Sequence, residues 1–132
     1  MSEIPPSRPV LRLPRLWLTL AYLLTFAVGV ASLIPGPDVG GSDKFFHFMT
    51  YAILSAGFSQ IIEQPKSLWL VLTGLIGYGL LLEFLQGMTG YRLGDMADAL
   101  ANSLGVIAGL FFYQSPLRRL LVWTDRWLAI RL

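Results

Sequence analysis

Residues Leu16 to Ile34 read LWLTLAYLLTFAVGVASLI, a run of 19 residues without a charge. At about 1.5 Å of rise per residue, a helix of this length comes close to the roughly 30 Å thickness of a bilayer's hydrocarbon core. Arg15 precedes the run and Pro35 follows it. A cleaved signal peptide has a shorter apolar stretch that ends in small residues. The run therefore predicts a transmembrane helix.

The composition of the whole chain points the same way. Of its 132 residues, 55% are apolar and 14% are charged, against roughly 25% charged in soluble domains. So few charges cannot coat a small soluble protein. The absence of cysteine excludes disulfides and thiolate zinc sites. The basic residues lie at the chain ends and beside apolar runs, so no nucleic-acid partner is expected.

Further apolar runs predict three more membrane spans. They cover residues 45–62, 68–82 and 96–113, and the run from residue 68 is expected to continue through Glu83 and Gln86 toward Met88. The predicted fold is an all-α, four-helix transmembrane bundle with a short amphipathic C-terminal helix. The predicted divisions are a cytoplasmic arm (1–15), a four-span membrane domain (16–113) and an interfacial tail (114–132).

Ser115 and Pro116 are a helix start signal, a serine N-cap followed by proline at the first helical position. Apolar residues then recur at helical spacing, which predicts a basic amphipathic helix lying on the membrane surface. Its apolar members are Leu117, Leu120, Leu121, Trp127 and Leu128, and Arg118, Arg119, Asp125 and Arg126 favour the other sides. The alternative is a loosely ordered basic segment that only fixes topology.

Lysine and arginine predict the orientation, because they are enriched in cytoplasmic loops. The two termini and the loop after the second run hold eight of them: Arg8, Arg12, Arg15, Lys66, Arg118, Arg119, Arg126 and Arg131. The other two loops hold only Lys44 and Arg92. We therefore expect a multi-pass protein of a bacterial inner membrane with both termini in the cytoplasm.

Polar residues at the span ends gather on the predicted outer face. They are Asp43, Lys44, His47, Glu83, Gln86, Arg92, Asp95, Asp98 and Asn102. Placing an ionisable side chain inside a membrane span costs free energy, and such residues are usually functional. No comparable set is expected at the cytoplasmic end, where the charges are interpreted as topology signals. Gly105 and Gly109 form a small-residue pattern that is expected to pack the fourth helix against the third.

Several chemistries suit this cluster. Lys44 and Arg92 could hold an anion, and His47 could act with Glu83 or Asp98 as an acid–base pair. The set could also only lock the helices together. Metal binding is not expected, because one histidine is weak support for a metal site, and no cofactor motif is present. The catalytic role is left open, with His47, Glu83 and Asp98 as candidates.

The same residues resemble the VanZ-like family of small bacterial membrane proteins. Three blocks carry the resemblance in order: Asp43-Lys44-x-x-His47-x-x-x-Tyr51, Glu83-x-x-Gln86, and Arg92-x-x-Asp95-x-x-Asp98-x-x-x-Asn102. The resemblance implies a membrane location, and the family's founding member is a glycopeptide-resistance accessory protein linked to teicoplanin. It singles out the nine polar residues already collected.

The leading hypothesis is binding of an anionic cell-envelope molecule, a lipid-linked phosphate or cell-wall precursor, at the outer pocket. In this hypothesis Lys44 and Arg92 contact the anion, and the other residues orient them or donate hydrogen bonds. The alternatives are an envelope-modifying enzyme and a scaffold subunit of a membrane complex. Membrane lipid is the expected partner in every case, and the oligomeric state is left open.

Overall fold

The computed structural model describes residues 8–36, 40–91 and 93–132. Five α-helices follow one another: α1 (Pro14–Leu33), α2 (Asp43–Ile61), α3 (Leu68–Met88), α4 (Met96–Leu110) and α5 (Leu117–Arg131). Short 3-10 turns occupy Gly40–Ser42, Pro65–Ser67 and Phe111–Gln114. The described residues contain no strand. The all-α prediction is therefore confirmed.

Three helical segments are long and apolar enough to cross a membrane: Pro14–Leu33, Pro65–Met88 and Met96–Gln114. The predicted extension of the third helix to Met88 is confirmed. α2 has 19 residues, but its lysine, histidine and glutamine make it more polar than α1, α3 and α4. Three candidate spans are therefore found among the described residues, and the predicted fourth span is not confirmed.

α1 begins two residues earlier than predicted, at Pro14. Proline suits the first turn of a helix, because the backbone N–H that it lacks would be unpaired there. The residues just before α1 are not a free arm. Leu11 is buried and packs with Ile61 of α2 and Val122 of α5. The predicted arm therefore belongs to the packed structure from Arg8 onward.

α2 lies at the centre of the bundle and packs most closely against α4. A Cβ atom added at Gly105 would overlap the carbonyl oxygen of Phe48, and one at Gly109 would overlap that of Ala52. Both glycines thus let α4 approach the backbone of α2. The predicted pairing of this glycine face with the third helix is wrong, because α2 occupies the face. The same contact leaves the glycines unavailable to a partner subunit.

The remaining helices cover this pair. Tyr51 and Phe58 of α2 form the apolar core with Val71 and Leu75 of α3 and Val106 of α4. α1 joins through Tyr78, whose hydroxyl donates to the Thr25 carbonyl at 2.8 Å. Many large apolar side chains point outward, among them Leu23, Phe26, Leu70, Leu81, Phe84, Leu100 and Ile107. Such a surface suits lipid rather than water.

The predicted fifth helix exists, and two of its polar residues face the protein. Arg118, Val122 and Asp125 face the protein, whereas Leu120 and Trp123 are exposed. Arg118 and Asp125 turn inward because the protein body offers them hydrogen bonds, whereas Arg119 and Arg126 are exposed. The predicted serine cap is also wrong, because the first turn of α5 has no side-chain cap. Ser115 Oγ is buried, with no hydrogen-bond partner in the described part of the chain.

Candidate functional site

The helices α1 to α4 run alternately between two ends of the bundle. We call the end where α2 and α4 begin the histidine end, and the opposite end, where α5 packs, the tail end. Eight of the nine predicted site residues belong to the histidine end: Asp43, Lys44 and His47 on α2, Glu83 and Gln86 on α3, and Asp95, Asp98 and Asn102 at or after the start of α4. Arg92 lies outside the described residues.

Lys44 joins α2 to the start of α4. Its Nζ donates to Asp95 Oδ2 at 2.9 Å and to Asp98 Oδ1 at 2.8 Å. The Asp98 side chain is 5% exposed, whereas that of Lys44 is 52% exposed. The hydrogen bond from Lys44 holds the pKa of Asp95 below its usual value. Two carboxylates thus hold the ammonium group of Lys44 on one side, and its other side is open to solvent.

His47 lies at the centre of the cluster, and its imidazole meets residues of its own helix α2 and of α3 and α4. Its Nδ1 lies 3.0 Å from Asn102 Oδ1, which fits a tautomer protonated at Nδ1. Its Nε2 lies 3.6 Å from Asp43 Oδ1 and 3.6 Å from Asp98 Oδ2. Glu83 Oε1 is 3.9 Å from Nδ1. The imidazole can therefore pass a proton to or take one from a neighbouring carboxyl group after a small movement.

Glu83 ties the end of α3 to the start of α4. Its Oε2 accepts a hydrogen bond from the Asp95 backbone N–H at 3.0 Å. Asp95 in turn caps α4, because its Oδ1 accepts from the Ala97 N–H at 2.8 Å. Gly94 permits the close approach, since a Cβ there would lie 2.7 Å from the Glu83 carbonyl oxygen.

Gln86 borders a polar hollow of about 240 Å³, which Asp43 and His47 also line. The Gln86 side chain is buried, and its Nε2 donates to the Ser32 carbonyl of α1 at 2.7 Å. Its Oε1 has no hydrogen-bond partner among the described residues. A buried acceptor without a donor is costly. The hollow therefore offers an acceptor to a ligand that carries a hydroxyl or ammonium group.

Three of these side chains have the donor set of a metal site. Asp43, His47 and Asp98 each offer one ligand atom, and these atoms lie within 4.8 Å of one another. One nitrogen and two oxygens suit zinc or a similar divalent cation, but the ligand atoms would each have to come within about 2.2 Å of the metal. The expectation that the protein binds no metal stays a prediction.

The tail end holds a second polar network, which the sequence analysis missed. Buried Asp125 accepts from the backbone N–H of Arg12 at 2.6 Å, from that of Leu13 at 2.9 Å and from Trp17 Nε1 at 2.9 Å. Burial alone would raise the pKa of Asp125, but these hydrogen bonds lower it overall. Asp125 thus fastens α5 to the start of α1.

Two arginines complete the tail end. The Arg8 guanidinium donates to the carbonyls of Ser59 at 2.9 Å and Tyr113 at 2.6 Å. Buried Arg118 donates to the carbonyls of Gln60 and Pro9. The interpretation of these charges as topology signals alone is therefore wrong. One signal was available: Asp125 is an isolated acid in a basic, apolar segment.

Comparison with known protein families identifies a family that the chain matches. The model of the VanZ/LLP1 family matches residues 10–121, which is most of the chain. The match includes all nine predicted site residues and extends into α5. No curated protein and no solved structure matches the chain.

Proposed function

This chain belongs to the VanZ/LLP1 family, and from that premise we propose that it is a four-span membrane protein that binds an anionic cell-envelope molecule at its histidine end. The ligand is a lipid-linked phosphate or a cell-wall precursor. Both termini lie in the cytoplasm, so that the histidine end faces outward.

Three observations support α2 as the fourth span. At about 1.5 Å per residue, its 19 residues cover about 28 Å. It contacts α1, α3 and α4, so its polar residues beyond the first turn, among them Ser55, Ser59 and Gln60, face protein rather than lipid. It begins at the histidine end with Lys44 and reaches the tail end, where Gln60 Nε2 donates to the Phe112 carbonyl at 2.6 Å.

The observation that carries the binding proposal is the geometry of Lys44. Asp95 and Asp98 hold its ammonium group from one side, and half of its side chain is exposed. An ammonium group has three N–H donors, so one remains for a phosphate oxygen. His47 and Gln86 add hydrogen-bonding groups at the same end of the bundle, and the proposal gives Arg92 the role of a second cation.

A binding measurement in lipid nanodiscs tests the proposal, with a polyprenyl phosphate as the probe. Lys44→Ala should weaken binding at least tenfold, because the substitution removes the held cation. Lys66→Ala is the matched control, since Lys66 is an exposed lysine at the tail end, and it should leave binding unchanged. Equal binding by the wild type and Lys44→Ala would overturn the proposal.

The position of His47 supports a second candidate, an enzyme acting on an envelope substrate. The imidazole lies within 4 Å of the carboxylates of Asp43, Asp98 and Glu83, which suits an acid–base pair. Purified protein should then convert an extracted lipid fraction, and His47→Ala and Glu83→Gln should not. Unchanged substrate at saturating enzyme would eliminate this candidate.

A role in glycopeptide resistance is a further part of the proposal, and it rests on the family alone. Expression in a teicoplanin-susceptible bacterium should raise the inhibitory concentration of teicoplanin, and the Lys44→Ala variant should not. If both proteins raised the inhibitory concentration equally, resistance would not depend on the proposed site.

A further inference from the structure

Two hollows lie between α1 and α2. The polar hollow at the histidine end contains Asp43, His47 and Gln86. Its other lining residues include Val28 and Ala31 of α1 and Phe46 and Thr50 of α2. A second hollow of about 290 Å³ lies nearer the tail end. It is lined by Leu20, Leu24, Ile53, Leu54 and Gly57. We call the second one the seam hollow.

Helical spacing places the two hollows on one continuous seam. On α1, Leu20 and Leu24 of the seam hollow lead to Val28 and Ala31 of the polar hollow in steps of four, four and three residues. Residues at these intervals share one helix face. On α2, Phe46, Thr50, Ile53 and Gly57 follow in steps of four, three and four. The polar hollow and the apolar seam hollow thus follow one another along the same faces of α1 and α2.

A larger hollow lies on the other side of α1 and lacks this continuity. Its volume is about 540 Å³, and Tyr22 and Phe26 of α1 line it with Leu70 and Gly74 of α3. None of the eight described polar residues of the histidine end lines it. It can take an ordinary acyl chain from the bilayer, but it offers no place for a charged head.

We propose that the ligand of the histidine end is a lipid whose phosphate binds Lys44, whose other head-group atoms enter the polar hollow and whose hydrocarbon chain lies along the α1–α2 seam. This inference rests on the proposed function and names the class of ligand. The seam runs from His47 to Gly57, about 15 Å along α2. A head that carries a hydroxyl group beside its phosphate would satisfy the buried Oε1 of Gln86.

Two glycines allow a matched test. Gly57 lines the seam hollow and Gly74 lines the larger hollow, and a Cβ at either position meets nothing within 4 Å. Gly57→Leu therefore fills the seam, and Gly74→Leu fills the other groove, each without displacing the backbone. Leu24→Trp obstructs the seam from α1 and serves if Gly57→Leu does not fold.

The probes are a polyprenyl phosphate and inorganic phosphate, measured on each protein in nanodiscs. Gly57→Leu should weaken binding of the polyprenyl phosphate at least tenfold and leave inorganic phosphate unaffected. Gly74→Leu should match the wild type with both probes. If the wild type binds the polyprenyl phosphate no more tightly than inorganic phosphate, the chain makes no contribution and the inference is wrong.

The remaining outcomes separate the two proposals. Wild-type binding of polyprenyl phosphate that depends on Lys44 but not on Gly57 would overturn the seam and keep the proposed function. A loss with Gly74→Leu alone would place the chain between α1 and α3, which also overturns the seam. No binding of either probe by the wild type would overturn both proposals.

Discussion

At the tail end, charged side chains bind mainly backbone groups, whereas at the histidine end the lysine and the histidine meet other side chains. Asp125 accepts two backbone N–H groups and Arg118 donates to two carbonyls. Lys44, by contrast, meets the side chains of Asp95 and Asp98. Backbone groups do not titrate and cannot turn to a new partner. The tail end is thus suited to holding the helices together, and the histidine end to exchanging partners with a ligand.

The largest expected effect breaks the tail end. Asp125→Ala leaves the N–H groups of Arg12, Leu13 and Trp17 without their acceptor. Each buried donor left unpaired costs about 1–3 kcal/mol, so the free energy of unfolding should fall by about 3 kcal/mol or more. Thermal unfolding in detergent measures the change. Arg119→Ala, at an exposed position of the same helix, should have little effect, and an equal loss there would refute the assignment.

A smaller effect is expected at the histidine end, and on a different quantity. Asp98→Asn keeps the size of the side chain but removes the charge that holds Lys44. Affinity for the polyprenyl phosphate should fall on the order of tenfold, about 1.4 kcal/mol, with less loss of thermal stability than in Asp125→Ala. Ser103→Ala, on the same helix, should change neither. If Asp98→Asn lost as much thermal stability as Asp125→Ala, the histidine end would instead serve to hold the helices together.

Acid should distinguish the two ends through the lowered pKa values of Asp125 and Asp95. A carboxyl group with a depressed folded pKa contributes stability above its unfolded pKa, near 3.8. The contribution is lost as the pH falls through the folded pKa. The unfolding temperature should therefore decrease as the pH is lowered from about 5 to about 2.

The Asn variants assign this decline. Asp125→Asn should remove more of it than Asp95→Asn, because Asp125 is buried whereas the Asp95 side chain is 48% exposed. The reverse order would mean that the histidine end carries more of the acid-sensitive stability.

The smallest effect compares two serines. Ser55 Oγ is buried and donates to the Val106 carbonyl at 2.7 Å, so Ser55→Ala should cost about 1 kcal/mol. Ser115 Oγ is buried without a partner among the described residues, so Ser115→Ala should be neutral or slightly stabilising. Chemical denaturation of both variants tests this, and a clear loss with Ser115→Ala would contradict the unpartnered hydroxyl.

Local pattern predicted the helices well but not their partners. The apolar run from Leu16 and the proline at residue 35 bracket α1 to within two residues at its start. Gly105 and Gly109 correctly indicated a close helix contact, but any neighbouring helix could have filled it. α2 does so because Ala52 and Ala56 present a small surface to α4, which helical spacing within α4 alone does not indicate.

The candidate site was predictable because its residues share an end of the membrane domain. Asp43 and His47 lie in the first turns of α2, and Asp98 lies in the first turn of α4. The chain reverses direction twice between these helices, so both helices begin at the same end of the bundle. The tail end was not predictable in this way. Asp125 meets Leu13 across 112 positions of the chain, and α5 turns its polar side inward only because that distant backbone is there. Spacing along one helix contains no such information.

The central place of α2 has a consequence for how the chain enters the bilayer. Under the four-span proposal, α2 is the least apolar of the four spans, and it is synthesised before α4, which packs against its backbone at Phe48 and Ala52. The ribosome must therefore release α3 and α4 before α2 can bury its polar groups. Insertion of the second span should then be a late, cooperative event, so that truncation after Met88 would leave α2 outside the hydrocarbon core.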